Sequence, residues 1–290
     1  MTTAGIEISP GAEEQFAVLD EGRMRYLQCG TGQPLILLHG LLGYSFSWRL
    51  NLAALGKCRR VLAPDQLGVG FSDRPPELDC SMRAVATRTL AFVDQLTPGG
   101  FDLLGTSHGG AIAMWMAALM AERGDSRLQR LILVAPANPW SPHGRILAPF
   151  VARPPISAAL RSTLPRASFA WGFFIRRMYG DPARLPPGTV EGYSAALLRE
   201  GSWDYGLRVL ESWIEDLEML KSLLPSLADV PILLLWGGAD PAVYQESAEH
   251  LRPYFRNCRY VSLPGVGHLP YEEAPEDFNR AVTEFLQTPA

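Results

Sequence analysis

Runs of four or five apolar residues recur along the chain, separated by stretches whose apolar positions repeat at helical spacing. Pro34–Leu38, Arg60–Ala63, Phe101–Leu104, Leu131–Val134, Pro231–Trp236 and Arg259–Leu263 read as short strands, most of them buried on both faces. Two mixed segments, 16–20 and 23–29, flank Glu21-Gly22 and predict a hairpin ahead of them. Helical spacing predicts helices over 47–55, 82–96, 111–120, 243–255 and 275–286. Strands alternating with helices predict an α/β fold whose mostly parallel, doubly wound sheet is covered on both faces.

The alternation stops between about Pro139 and Leu224. That stretch holds no strand-like run, is rich in Pro, Arg and aromatics, and repeats helical spacings such as Leu210, Trp213, Ile214, Leu217 and Leu220. It reads as an inserted helical segment, leaving 1–138 and 225–290 as the core. The stripe is expected to pack within that segment rather than to touch a substrate.

Composition narrows the function. The chain has 290 residues, is 47% hydrophobic and carries a formal charge of −4, so it offers no basic face for nucleic acid or an anionic membrane. The acidic, polar residues 1–15 show no leader pattern, and the longest apolar run, Ala111–Ala121, is too short to cross a bilayer. Cys29, Cys58, Cys80 and Cys258 lie far apart with no metal-ligand spacing and read as reduced thiols. A cytoplasmic location is therefore expected, and no metal or organic cofactor is implied.

In a parallel sheet of this kind ligands bind beyond the strand C-termini. The most telling of these turns is Leu103-Leu104-Gly105-Thr106-Ser107-His108-Gly109-Gly110, where an apolar strand meets an apolar helix with no loop between. So abrupt a turn forces its apex into a strained conformation and admits only glycine beside it. Ser107 stands at the apex, as in a nucleophile elbow, with a bland helix-capping serine as the alternative. A serine hydroxyl needs a base, itself oriented by a third group. Of the five histidines, His268 alone follows a late strand in a glycine-rich loop. His39 and His108 adjoin glycine turns, and His143 and His250 read as surface residues. Asp240, after Trp236-Gly237-Gly238-Ala239, is the candidate orienting acid, although an ordinary helix cap explains it too; Glu246 and the Glu272-Glu273 pair read as solvated helix faces. The oxyanion would be met by backbone N–H groups of His108 and of Leu41, with Leu42 as the alternative. Leu42, Trp140 and Trp213 are candidates for substrate contact.

With those residues in view, the chain resembles serine hydrolases of the α/β-hydrolase fold, in the branch that holds small esterases, meta-cleavage-product hydrolases and cofactor-free haloperoxidases. The resemblance is carried by Leu37-Leu38-His39-Gly40, the stretch 64–73, Gly105–Gly110, Trp236–Asp240 and Gly265–His268. It implies that 139–224 is a helical cap over the active site and that Asp65–Asp73 is structural. Haloalkane dehalogenases and epoxide hydrolases of this fold carry an aspartate nucleophile where this chain has Ser107. The loop after His39-Gly40 also lacks the glycine triplet of the hormone-sensitive-lipase branch. The expected activity is hydrolysis of carboxylic esters with apolar, small-to-medium acyl or aryl groups through Ser107, His268, Asp240 and an acyl-enzyme intermediate. Cleavage of a carbon–carbon bond, a lactone or a perhydrolase reaction are the enzymatic alternatives, and a ligand receptor on the same fold is the non-enzymatic one.

Overall fold

The computed structural model describes residues 9–164 and 171–288, apart from the side chains at 142–144 and 147. Of the insertion's arginines and aromatics, Arg166 and Phe169 lie outside the described residues, as does the His143 side chain. Eight strands form one sheet in the order β1-β2-β4-β3-β5-β6-β7-β8. They are β1 (Ala12–Leu19), β2 (Gly22–Cys29), β3 (Pro34–Leu38), β4 (Arg60–Pro64), β5 (Phe101–Thr106), β6 (Leu128–Val134), β7 (Ile232–Gly237) and β8 (Cys258–Leu263). The β1–β2 hairpin and the β2–β4 pairing are antiparallel, and β4-β3-β5-β6-β7-β8 pair in parallel. Every residue of β5 and β7 is buried, which is why β7 reads as an unbroken apolar run and β5 as one interrupted only by Asp102, which pairs with Arg59.

Alternate residues of each strand enter separate cores. Ile36, Leu38, Leu103 and Leu133 face the helices α2 (Met82–Leu96) and α3 (His108–Glu122). Leu35, Leu37, Leu104 and Ile132 face α1 (Leu52–Leu55) and α11 (Pro275–Gln287). Between β6 and β7 the chain forms α4 (Pro142–Val151), α5 (Pro154–Thr163), α6 (Trp171–Arg177), α7 (Thr189–Leu197) and α8 (Ser202–Leu223). Two short helices complete the set, α9 (Ser247–Leu251) and α10 (Pro270–Glu273).

Two expected helices are shorter than their periodicity. Instead of one helix over 47–55, a 3-10 turn at Ser45–Trp48 precedes α1. Asn51 stands at the junction as the N-terminal cap of α1, and its Nδ2 donates to Tyr271 O and Asn279 Oδ1, both at 3.0 Å. Instead of a helix over 243–255 only α9 and a following 3-10 turn form. The Val243 carbonyl, which a longer helix would need, accepts from the Trp236 indole N–H at 2.8 Å.

Helix α8 lies directly on the sheet's own helices. Trp213, Leu217 and Leu220 belong to the core cluster of α2 and α3, and the Trp213 indole stacks on the His108 ring at 5.7 Å. Asp216 accepts from the Met82 N–H at 2.9 Å and so caps α2. A Cβ on Gly206 of α8 would come within 2.7 Å of Leu42 Cδ2, so the bare helix backbone abuts the loop after β3.

That loop is tied to the turn after β4 by Asp65, which is fully buried. Its Oδ1 accepts from Ser45 N at 2.8 Å, and its Oδ2 accepts from Phe71 N at 2.8 Å and from Arg25 Nη1 at 3.0 Å. His39 adds a second tie: its Nδ1 faces Gly40 O at 2.9 Å, and its Nε2 accepts from Gln66 N at 3.1 Å. Deleting one member of a buried pair strands the other. Asp65→Ala is therefore expected to cost about 3–5 kcal/mol, and a thermal melt should drop by on the order of 10 °C.

His108 gives a pH-dependent prediction. Its ring is buried, its Nε2 has no hydrogen-bond partner, and burial pushes it down to about 3. The unfolded chain therefore binds a proton before the folded one, so this contribution is complete above the unfolded pKa and is lost as the pH falls toward the folded value. His108→Phe keeps a ring against Trp213 and removes that proton. Between about pH 6 and 4 the slope of unfolding free energy against pH should fall by roughly 1.4 kcal/mol per unit, read from urea denaturation.

Candidate active site

Ser107 occupies the single residue between β5 and α3 with φ 51° and ψ −120°. A Cβ on Gly105 would come within 2.2 Å of Gly109 O, one on Gly109 within 2.4 Å of His39 O, and one on Gly110 within 2.6 Å of Pro136 Cβ. These contacts are why the turn tolerates only glycine around the serine. The Ser107 backbone is held by its N–H on Val134 O at 2.9 Å and by Gly110 and Ala137 N–H groups on its carbonyl. Its side chain does not cap the helix. It lines a cavity instead.

His268 lines the same cavity. Its Nδ1 lies 2.8 Å from Asp240 Oδ2, while Asp240 Oδ1 accepts from the N–H groups of Ala242 at 2.8 Å and Val243 at 2.9 Å. Asp240 caps no helix, since α9 starts only at Ser247; one of its oxygens braces its own loop and the other faces His268. With Nδ1–H directed at a carboxylate, Nε2 is the nitrogen left to accept a proton. The loop carrying His268 is pinned to β7, since a Cβ on Gly237 would fall 1.9 Å from Gly267 O and Ala239 N–H donates to Val266 O at 2.8 Å.

Leu41 and Leu42 form the middle of a turn closed by Gly43 N–H on Gly40 O at 3.0 Å. Leu42 has φ 58°, a conformation that side chains other than glycine adopt only under strain. A Cβ on Gly40 would stand 3.3 Å from Ser107 Cβ, so this turn runs against the serine. His108 is the first residue of α3, so its N–H has no acceptor within the helix.

The cavity measures about 300 Å³ and is predominantly apolar. Besides Leu41 and Leu42 its walls come from Trp171, Phe174, Ile175 and Met178, with Tyr193 and Tyr271. Of the three candidates for substrate contact, Leu42 lines the cavity. Trp140 and Trp213, the other two candidates for substrate contact, lie elsewhere. Trp140 stacks on His250 at 5.4 Å, and Trp213 is buried on the His108 ring. The wall residues carry no sequence signal of their own, since the aromatics of the insertion are too many to rank without packing.

Glu272 and Glu273 correct a second expectation. They are not solvated: both side chains are fully buried. Glu272 accepts from Arg49 at 3.0 Å, from the Tyr179 hydroxyl at 2.7 Å and from the Tyr193 hydroxyl. Burial and then the Glu272 charge push the Tyr179 and Tyr193 phenols well up. They therefore remain protonated donors. Among the described residues no arginine lines the cavity; Arg161 pairs with Asp204 and Glu211, and Arg184 with Asp181. No group of three or more His, Cys, Asp or Glu that could hold a metal occurs among the described residues, and no helix there is long and apolar enough to cross a membrane.

Comparison with known proteins agrees with this architecture. Residues 35–281 match the Alpha/beta hydrolase family. Haloalkane dehalogenase 2 of Mycobacterium tuberculosis is 28% identical, with 94% of each chain covered. The 2-hydroxymuconate semialdehyde hydrolase of a Pseudomonas species is 25% identical over 89% of this chain and 88% of its own. A thermophilic esterase from Thermogutta terrifontis superposes with a TM-score of 0.79 at 26% identity, over 95% of this chain and 98% of that one. The chain belongs to the alpha/beta hydrolase family and is a hydrolase.

Proposed function

We propose that the protein hydrolyses carboxylic esters with a small apolar acyl or aryl group. The observation that carries this is the pairing of Asp240 with His268 on the cavity that Ser107 also lines. In this reading Ser107 Oγ attacks the acyl carbon as His268 Nε2 takes its proton. The resulting oxyanion is met by the N–H of His108 and that of Leu41 or Leu42. The imidazolium, held by Asp240, then protonates the leaving alcohol, and water releases the acid by the same route in reverse order.

Two chemistries named for relatives fit the site less well. A haloalkane would alkylate Ser107 to an ether, which offers water no carbonyl to attack; an aspartate's alkyl ester would. A meta-cleavage dienoate carries a carboxylate, and the described cavity wall sets no arginine against it. The volume lies at the lower end of the roughly 300–1,000 Å³ usual for small-molecule sites, which favours a short acyl chain. We read 139–224 as a cap domain that walls this site over a core of 1–138 and 225–290. The four unpaired thiols support a cytoplasmic enzyme.

p-Nitrophenyl esters of graded chain length test the proposal. Wild-type protein should release p-nitrophenol with a burst and a preference for short chains. Ser107→Ala should abolish the burst and lower kcat by on the order of 10⁶-fold. Undiminished turnover in that variant would overturn the nucleophile, and turnover of a dienoate without any ester would move the assignment to carbon–carbon cleavage.

A further inference from the structure

We infer that Glu273 is a positioning residue for His268 and that it works by locking the insertion to the loop that carries the histidine. The inference rests on the reading of His268 as the base. Glu273 is a buried carboxylate that spends its lone pairs on backbone amides. Its Oε2 accepts from Gly267 N–H at 2.7 Å and from Gly180 N–H at 2.9 Å, and its Oε1 accepts from Asp181 N–H at 2.9 Å. The nearest cation, Arg184, stands off at 3.8 Å. A carboxylate without close ionic pairing is tolerated in such a place because charge-assisted bonds from amides replace its hydration.

The three amides are not scattered. Gly267 precedes His268, and Gly180 and Asp181 follow Met178 and Tyr179 in the insertion. The His268 N–H donates to Met178 O at 2.7 Å, while the Met178 side chain forms part of the cavity wall. Glu273 and this bond close a ring: His268, Met178, Gly180, Glu273, Gly267. Both glycines are needed for the contact. A Cβ on Gly180 would fall 2.3 Å from Gly265 O, and one on Gly267 would fall 2.3 Å from Met178 O. Asp240 therefore sets the rotation of the imidazole, and the ring sets where its backbone stands. The adjacent Glu272 holds the same stretch by its side chains, through Tyr179 and Tyr193, and does not touch the His268 loop amides.

Two variants break the ring from opposite sides. In Glu273→Gln one amide meets an NH2 donor instead of an oxygen; in Gly180→Ala the carboxylate stays and a methyl group pushes the insertion off the loop. For p-nitrophenyl acetate both are expected to lower kcat by roughly 10–100-fold, as ångström-scale misplacement does, with KM within about twofold. The downfield NMR proton of His268 Nδ1–H, shared with Asp240, should broaden or vanish in both and persist in Ser107→Ala. If Glu273→Gln does not fold, Gly180→Ala carries the test. Unchanged kcat together with an unchanged downfield proton would overturn the role. Wild-type protein inert to esters would instead count against the ester reading, and the proton would still decide the role of Glu273.

Discussion

A strand that becomes a helix within one residue leaves no space between its two arms, and much of this molecule follows from that constraint. Because β5 and α3 touch at Gly105 and Gly109, Ser107 is forced to φ 51° and its hydroxyl is thrown clear of the backbone. The strain is held by buried surroundings: β6 takes the Ser107 N–H, and the segment after β6 returns Ala137 N–H to its carbonyl. The same crowding draws the turn after β3 against the serine, and that turn is itself strained at Leu42. Both strained residues, Leu42 and Ser107, line the one cavity.

Buried carboxylates organise what surrounds that turn, and each serves more than one loop. Asp65 ties the segment after β3 to the segment after β4. Asp240 faces His268 with one oxygen and shapes its own loop with the other. Glu272 and Glu273 fasten the insertion to the chain just after His268. Peptide N–H groups contribute heavily to this binding, so the charges are stabilised by fixed dipoles that cannot rearrange without unfolding a loop. Within the insertion, α8 is part of the main core, whereas α6 and α7 meet the rest through the small cluster of Tyr44, Phe46, Ile175, Tyr179 and Tyr193.

The family to which the chain belongs shares its scaffold across different chemistries, and the named relatives illustrate it: a haloalkane dehalogenase, a 2-hydroxymuconate semialdehyde hydrolase and an esterase. A serine at the apex and a wall without arginine among the described residues are local properties of this chain. They weigh more for its chemistry than overall likeness does.

The buried strands and the turn around Ser107 were legible in the sequence because each is a local matter: unbroken apolar runs, and glycines spaced about a serine. Chain order did the same for His268 and Asp240, since loops after parallel strands converge at one edge of the sheet. Helix lengths were not legible where a distant group claims a backbone or side-chain bond, as Trp236 does at Val243 and Tyr271 at Asn51. The cavity wall was not legible either. Trp140, Trp213, Trp171 and Tyr193 look alike in the sequence, and only the packing of the insertion turns two of them inward and two away. Glu272 and Glu273 carry the same lesson: adjacent glutamates at a helix start read as solvated, and they are buried because hydroxyls, an arginine and amides remote in the chain fold over them. Local geometry follows from neighbours in sequence, whereas burial of a polar group depends on partners that only the tertiary structure supplies.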